Sequence, residues 1–199
     1  MILKDQIQNL ARKAIEHAPD AGTFPKLIRN RTPLLKRFAA DGIVPNNPKL
    51  PVIIYRQVLS FSKEYDPAVL VDHMFASNDW GRSWRDSIYD FVHYHSQTHE
   101  VLGVAKGHAM VELGGVMGSA VGLKAGDVVI LPAGTGHRLI EASKDFLVVG
   151  AYPEDGTYDE CTDSRDKAEA IKRIAKVKLP RRDPVYGAHG PLKKVWKSH

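Results

Sequence analysis

Cysteine is almost absent: Cys161 is the only one among 199 residues. An intrachain disulfide framework and an all-cysteine metal site are therefore excluded, and a reducing, cytoplasmic address is expected. No apolar run is long enough to span a bilayer, and no short apolar stretch follows a basic N-terminus as in a secretory signal, so no membrane role is expected. Internal repeats and low-complexity tracts are lacking as well. What is present is ordinary globular material, 43% hydrophobic and 26% charged, which excludes a disordered chain and suits one domain with an appendage.

The formal charge of +5 is unevenly placed. Residues 1–40 carry +5 and residues 161–199 carry +7, whereas residues 41–160 carry −7. The basic character thus belongs to the two ends. No recognition element with interleaved aromatics accompanies it, so the ends read as solvated helix faces and tails and no nucleic-acid partner is expected.

Leu3, Ile7, Leu10, Ala14 and Ile15 recur at helical spacing within residues 2–18. The first forty residues hold three acids and no serine, which argues for a docked helix over a mitochondrial presequence. A turn-rich stretch over residues 39–51 follows, then a short buried strand at 52–55 and a helix within 66–79. Between Gly103 and Gly136 nine glycines punctuate short apolar runs, the signature of an antiparallel sandwich or barrel. Thr162, Asp163 and Ser164 are able caps for a further helix, with Ala168, Ile171, Ile174 and Ala175 as its apolar stripe. The tail from Arg181 holds Val185, Tyr186, Val195 and Trp196 and is expected to lie along the barrel.

The chemistry concentrates in His93-Tyr94-His95-Ser96-Gln97-Thr98-His99-Glu100. Residues two apart on a strand face the same way, so His93 and His95 form half of a metal site on one wall. His137, after the tight turn Pro132-Ala133-Gly134-Thr135-Gly136, is placed to supply a third imidazole. Straight parity would put His99 on the same face. A turn at Ser96-Gln97-Thr98 would reset the phase and favour Glu100, with His99 as the competing ligand or as a supporting residue. Imidazoles plus a carboxylate suit one divalent ion among Fe, Mn, Ni, Co and Zn. Glu141 lies four after His137, shares its parity, and is a candidate general base. Tyr94 and Arg138, of opposite parity, are expected outside the barrel, and Trp80, Trp84 and Tyr89 are read as core or interface aromatics rather than substrate stackers.

Residues 93–107 resemble the first cupin motif: His93-x-His95, four residues, Glu100, six residues, Gly107. Residues 126–137 resemble the second: Gly126, five residues, Pro132, x, Gly134, two residues, His137, after a spacer of 18 residues. Two departures are Ser87, where the first motif has glycine, and Glu141, where the second ends in asparagine. Val44 to Pro51, Trp84 to Tyr89, His99 to Gly103 and Asp183 to Tyr186 are similar to the YjlB-like branch of single-domain cupins, and the similarity spans residues 35–196. The resemblance implies a mainly β fold, a cupin jelly-roll β-barrel with flanking helices: residues 1–34 an extension, 35–199 one domain, its barrel core about 50–155 and its C-terminal helix and tail 162–199. It also implies a metal on His93, His95, Glu100 and His137, a small-molecule substrate and a homodimer. An Fe(II)-type dioxygenase is the favoured reaction, with a redox-neutral isomerase or epimerase and a non-catalytic binding module as alternatives.

Overall fold

Alternation of side chains along the strands sorts this chain into two apolar layers. The computed structural model describes residues 23–153 and 157–197. Among them are nine strands: β1 (Leu34–Lys36), β2 (Val52–Tyr55), β3 (Trp80–Asp86), β4 (Glu100–Lys106), β5 (His108–Leu113), β6 (Ser119–Lys124), β7 (Val128–Leu131), β8 (His137–Ala142) and β9 (Leu147–Pro153). They pair antiparallel into a six-stranded sheet ordered β1-β2-β7-β4-β9-β3 and a three-stranded sheet ordered β6-β5-β8. This is the expected jelly-roll architecture. The helix read within residues 2–18 lies outside the described residues.

The layer between the two sheets holds Val52, Ile54, Leu102, Val104, Val129, Leu131 and Val148 from the larger sheet, facing Ala109, Val111, Leu113, Val121 and Leu123. The alternate residues Ile53, Tyr55, Val101, Ala105, Val128, Ile130, Val149 and Ala151 face the opposite way, into a second layer. Both faces of β2, β4, β7 and β9 are therefore apolar, and their sequences read as continuous hydrophobic runs.

The second layer is covered by α1 (Pro67–Ala76) and by the C-terminal tail. Pro67 suits the first helical position, and the Asp66 side chain caps the helix by accepting from the Ala68 N–H at 2.8 Å. Leu70, Val71, Met74 and Phe75 are fully buried, each contributing roughly 1.5–3 kcal/mol. Gly103 is required beneath them, because a Cβ there would collide with Val71 and Phe75.

A second helix, α2 (Lys167–Ile174), follows a 3-10 turn at Ser164–Asp166 that Asp163 caps through the Arg165 N–H. Its buried residues are Ala170 and Ile174, whereas Ile171 is half exposed, so the inward stripe differs from the expected one. The reason is local: Ile174 packs on Gly134, and Ala170 joins Val44, Tyr94 and Cys161 in a small cluster.

As expected, the tail lies along the barrel. Asp183, fully buried, accepts from the backbone N–H groups of Val185, Tyr186 and Leu192 and from the Tyr55 hydroxyl at 2.5 Å. This lock seats Val185, the short helix α3 (Leu192–Val195) and Trp196 on the sheet. Burial, then Asp183, raises Tyr55 far above the ordinary tyrosine value, so its O–H stays a donor. Replacing Asp183 with Ala strands three buried donors and a part-buried one, and is expected to cost on the order of 3 kcal/mol in urea unfolding; a loss below about 1 kcal/mol would contradict the lock.

Candidate metal centre

His93 lies just before β4 on an irregular segment, and its partner sits at the start of β8. Their backbones form an antiparallel bridge: His93 N–H donates to the His137 carbonyl at 3.2 Å and His137 N–H donates back at 2.9 Å. That pairing sets the two rings side by side, with centroids 4.1 Å apart. His95, two residues on, falls on the same face, and the ligand atoms of His93, His95 and His137 all lie within 4.8 Å of one another. All three residues are buried.

Each ring is oriented from behind. Nδ1 of His93 faces the Phe91 carbonyl at 3.2 Å, Nδ1 of His137 faces the Thr135 carbonyl at 3.2 Å, and Nδ1 of His95 faces the Asp159 carbonyl. Carbonyls only accept, so each Nδ1 donates to the carbonyl behind it, and the Nε2 atoms of His95 and His137 are turned toward Glu100. Asp159 also accepts from the Ser96 N–H at 2.8 Å, the Gln97 N–H at 3.0 Å and the Ser96 hydroxyl at 2.5 Å. It thereby closes the turn that follows His95. Nothing in the sequence pattern marked Asp159, which lies 64 residues from the histidine it orients.

The turn resets the phase. Glu100 shares the face of Leu102, toward the inter-sheet layer, and its Oε2 lies 3.2 Å from Nε2 of His137 and 3.4 Å from Nε2 of His95. Burial would raise the Glu100 pKa, yet the His95 and His137 rings hold its carboxyl far below the usual range. Burial opposes a charge on His95, but the Glu100 carboxylate outweighs it and raises that ring to about 9. His93 is pushed down to about 3 by burial and then by His137. Oε2 of Glu100 is buried without a hydrogen bond of its own. An orphaned carboxylate oxygen among imidazole nitrogens is a donor set that fits a divalent cation.

His99 takes the opposite face and is not among these groups. Its Nδ1 accepts from the Ala133 N–H at 3.0 Å, and its ring packs on Trp196 at 4.7 Å. As a ligand it is excluded by direction; as a support it holds the loop that leads to His137.

Glu141 is also turned away. Between Val111↔Leu139 and Met110↔Glu141 the register of β5 against β8 shifts, leaving Ile140 as an extra residue on β8. A bulge reverses parity beyond it. Glu141 is exposed on the outer face and borders a separate hollow with His108, Met110 and Lys124. That bulge turns Glu141, the candidate general base, away from His137 and toward solvent. Tyr94 and Arg138 do lie outside: Tyr94 against Cys161 and Ala170, Arg138 in a two-point ion pair with Glu112.

The histidines and Glu100 border a cavity of about 540 Å³ whose other walls include Arg82, Trp84, Tyr89, Tyr152 and Tyr158. Trp80 is core, as expected, but Trp84 and Tyr89 line this cavity. The Trp84 indole lies over Gly150, where a Cβ would collide with it, and its Nε1–H donates to the Tyr152 hydroxyl at 3.0 Å. Burial, then Glu100, holds Tyr152 firmly protonated.

The Cupin domain family model matches residues 90–149. The uncharacterized protein YjlB of Bacillus subtilis (strain 168) is 38% identical over 160 residues, covering 80% of this chain and 93% of its own. The chain is a cupin. Bacillus subtilis oxalate decarboxylase OxdC is similar in structure over 60% of this cupin and 29% of its own chain, at 18% identity and a TM-score of 0.35. Vicilin from Solanum lycopersicum is similar over 63% and 31%, at 13% identity and a TM-score of 0.34. This cupin spans less than a third of the length of either. No helix among its described residues is long and apolar enough to cross a membrane.

Burial pushes His99 down to about 4, so the folded cupin keeps it neutral where the unfolded chain, near pH 6.5, takes up a proton. Its contribution is complete above pH 6.5 and is lost as pH falls toward 4, on the order of 3 kcal/mol. Unfolding free energies measured across that window should fall less steeply in a His99→Phe variant than in the parent. Equal slopes would refute the burial argument.

Proposed function

We propose that this cupin is a metal-dependent enzyme acting on a small organic molecule, with Fe(II) dioxygenation as the leading reaction. The observation that carries the reading is the convergence of one ring nitrogen each from His93, His95 and His137 with the orphaned Glu100 Oε2 at one wall of a substrate-sized cavity. His93, His95, Glu100 and His137 would hold one divalent ion. An iron ion held there supplies one-electron chemistry with dioxygen, whereas zinc, nickel or manganese supplies Lewis acidity.

The chain's own residues do the rest. Backbone carbonyls behind the rings hold each Nδ1, so the rings do not have to turn when the ion enters. Trp84 points the Tyr152 hydroxyl by donating to its oxygen, which leaves the Tyr152 proton free for Glu100 or for a substrate oxygen.

The redox-neutral isomerase reading loses Glu141 as its base, and Tyr152, held protonated, can only donate. A homodimer acting in the cytoplasm belongs to the same proposal; light scattering is expected at twice the mass of one chain, and a monomer would contradict that part.

Elemental analysis of protein purified without a metal-affinity tag is expected to find about one equivalent of iron per chain. Iron should be lost in His137→Ala and kept in Glu141→Gln, and the parent should consume oxygen with chelating substrates. Stoichiometric zinc, nickel or manganese would overturn the dioxygenase and leave redox-neutral chemistry or binding without turnover. Protein that takes up no metal even after reconstitution would overturn the whole reading.

A further inference from the structure

The cavity walls carry more aromatic surface than a metal centre needs. Tyr89 stacks on Phe91 with centroids 4.8 Å apart and planes at 15°, and both rings lean on His93, at 5.2 Å and 5.6 Å. Tyr158 stacks on Tyr152 at 5.3 Å and 7°, and both lean on His95, at 5.7 Å and 5.6 Å. Each of these two metal-facing histidines thus has its own stacked aromatic pair. Tyr89 and Tyr158 remain 53% and 55% exposed and Phe91 42%, although large apolar rings normally bury such area in a core. Three of the four rings line the cavity, together with the Trp84 indole.

Folding explains Trp84 and Tyr152, which hydrogen-bond each other over Gly150. It does not explain Tyr89, Phe91 and Tyr158, which contribute little to either apolar layer. Exposed, preordered rings at the border of a cavity are what recognises another flat ring, through offset stacking or edge contacts. We infer that the substrate is an aromatic compound whose ring packs against the cavity-lining rings of Tyr89, Tyr152 and Tyr158 while two adjacent oxygen atoms reach the metal. The inference rests on the proposed metal centre, which supplies the anchor for those oxygens. It makes Tyr89 and Tyr158 specificity residues. Neither is a metal ligand, and neither is part of the core.

Mandelate and lactate test this directly, because they share one 2-hydroxy acid head and differ only in phenyl against methyl. With protein loaded with cobalt(II), perturbation of the visible spectrum by each acid gives its affinity, and metal content is measured in parallel. Mandelate is expected to bind at least about tenfold more tightly than lactate. In the double variant Tyr89→Leu, Tyr158→Leu, cobalt stoichiometry and lactate affinity should be unchanged, while the preference for mandelate falls to about threefold or less. Equal binding of the two acids by the parent, or an undiminished preference in the variant, would overturn the aromatic inference and leave the metal centre standing. Failure to load cobalt would overturn both.

Discussion

The reciprocal backbone hydrogen bonds between His93 and His137 are the constraint on which the site depends. They join an irregular segment to the first residue of β8, and so bring two imidazole centroids to 4.1 Å. His95 follows from strand parity, and Glu100 follows from the turn that Asp159 closes. Each ring then has its Nδ1 committed to a carbonyl. Main-chain carbonyls behind the rings and the Asp159 carboxylate together allow four buried polar side chains at the end of a barrel whose strands are otherwise apolar.

The apolar strands make that geometry rigid. Because β2, β4, β7 and β9 are buried on both faces, the sheet that carries Glu100 is held from the inter-sheet side and from the side of α1 and the tail. Asp183 fastens the tail by four hydrogen bonds, Trp196 donates to the Pro51 carbonyl at 2.9 Å, and His99 bridges the tail to the loop before His137. A residue first considered as a ligand thus acts on the opposite side of the sheet, supporting the loop that presents a true candidate.

Much of this was legible in the residues. Continuous apolar runs mark β2 and β7, glycine spacing marks the barrel, and the His93, His95, Glu100 and His137 constellation is readable from parity plus one turn. The strand β3 was not, because Trp80–Asp86 has a single buried residue and owes its extension to pairing with β9. The direction of Glu141 could not be settled from the sequence, because a bulge at Ile140 has no hydrophobic signature and parity counting runs straight through it. Asp159, Tyr152 and Tyr158 reach the site from distant sequence, and no local pattern signals a residue whose role is set by a contact more than 50 residues away. Trp84 and Tyr89 were visible as aromatics, but only the cavity distinguishes a lining ring from a core ring.

The central claim is that His93, His95, Glu100 and His137 share one divalent ion. Crystals grown with cobalt(II) and measured across its absorption edge test it most directly, since anomalous scattering locates the ion without reference to any activity. A single strong peak is expected within bonding distance of the three Nε2 atoms and a Glu100 oxygen, with Nδ1 of each histidine still on its carbonyl. A peak on His99, a peak at Glu141 in the outer hollow, or no peak at the four residues would contradict it.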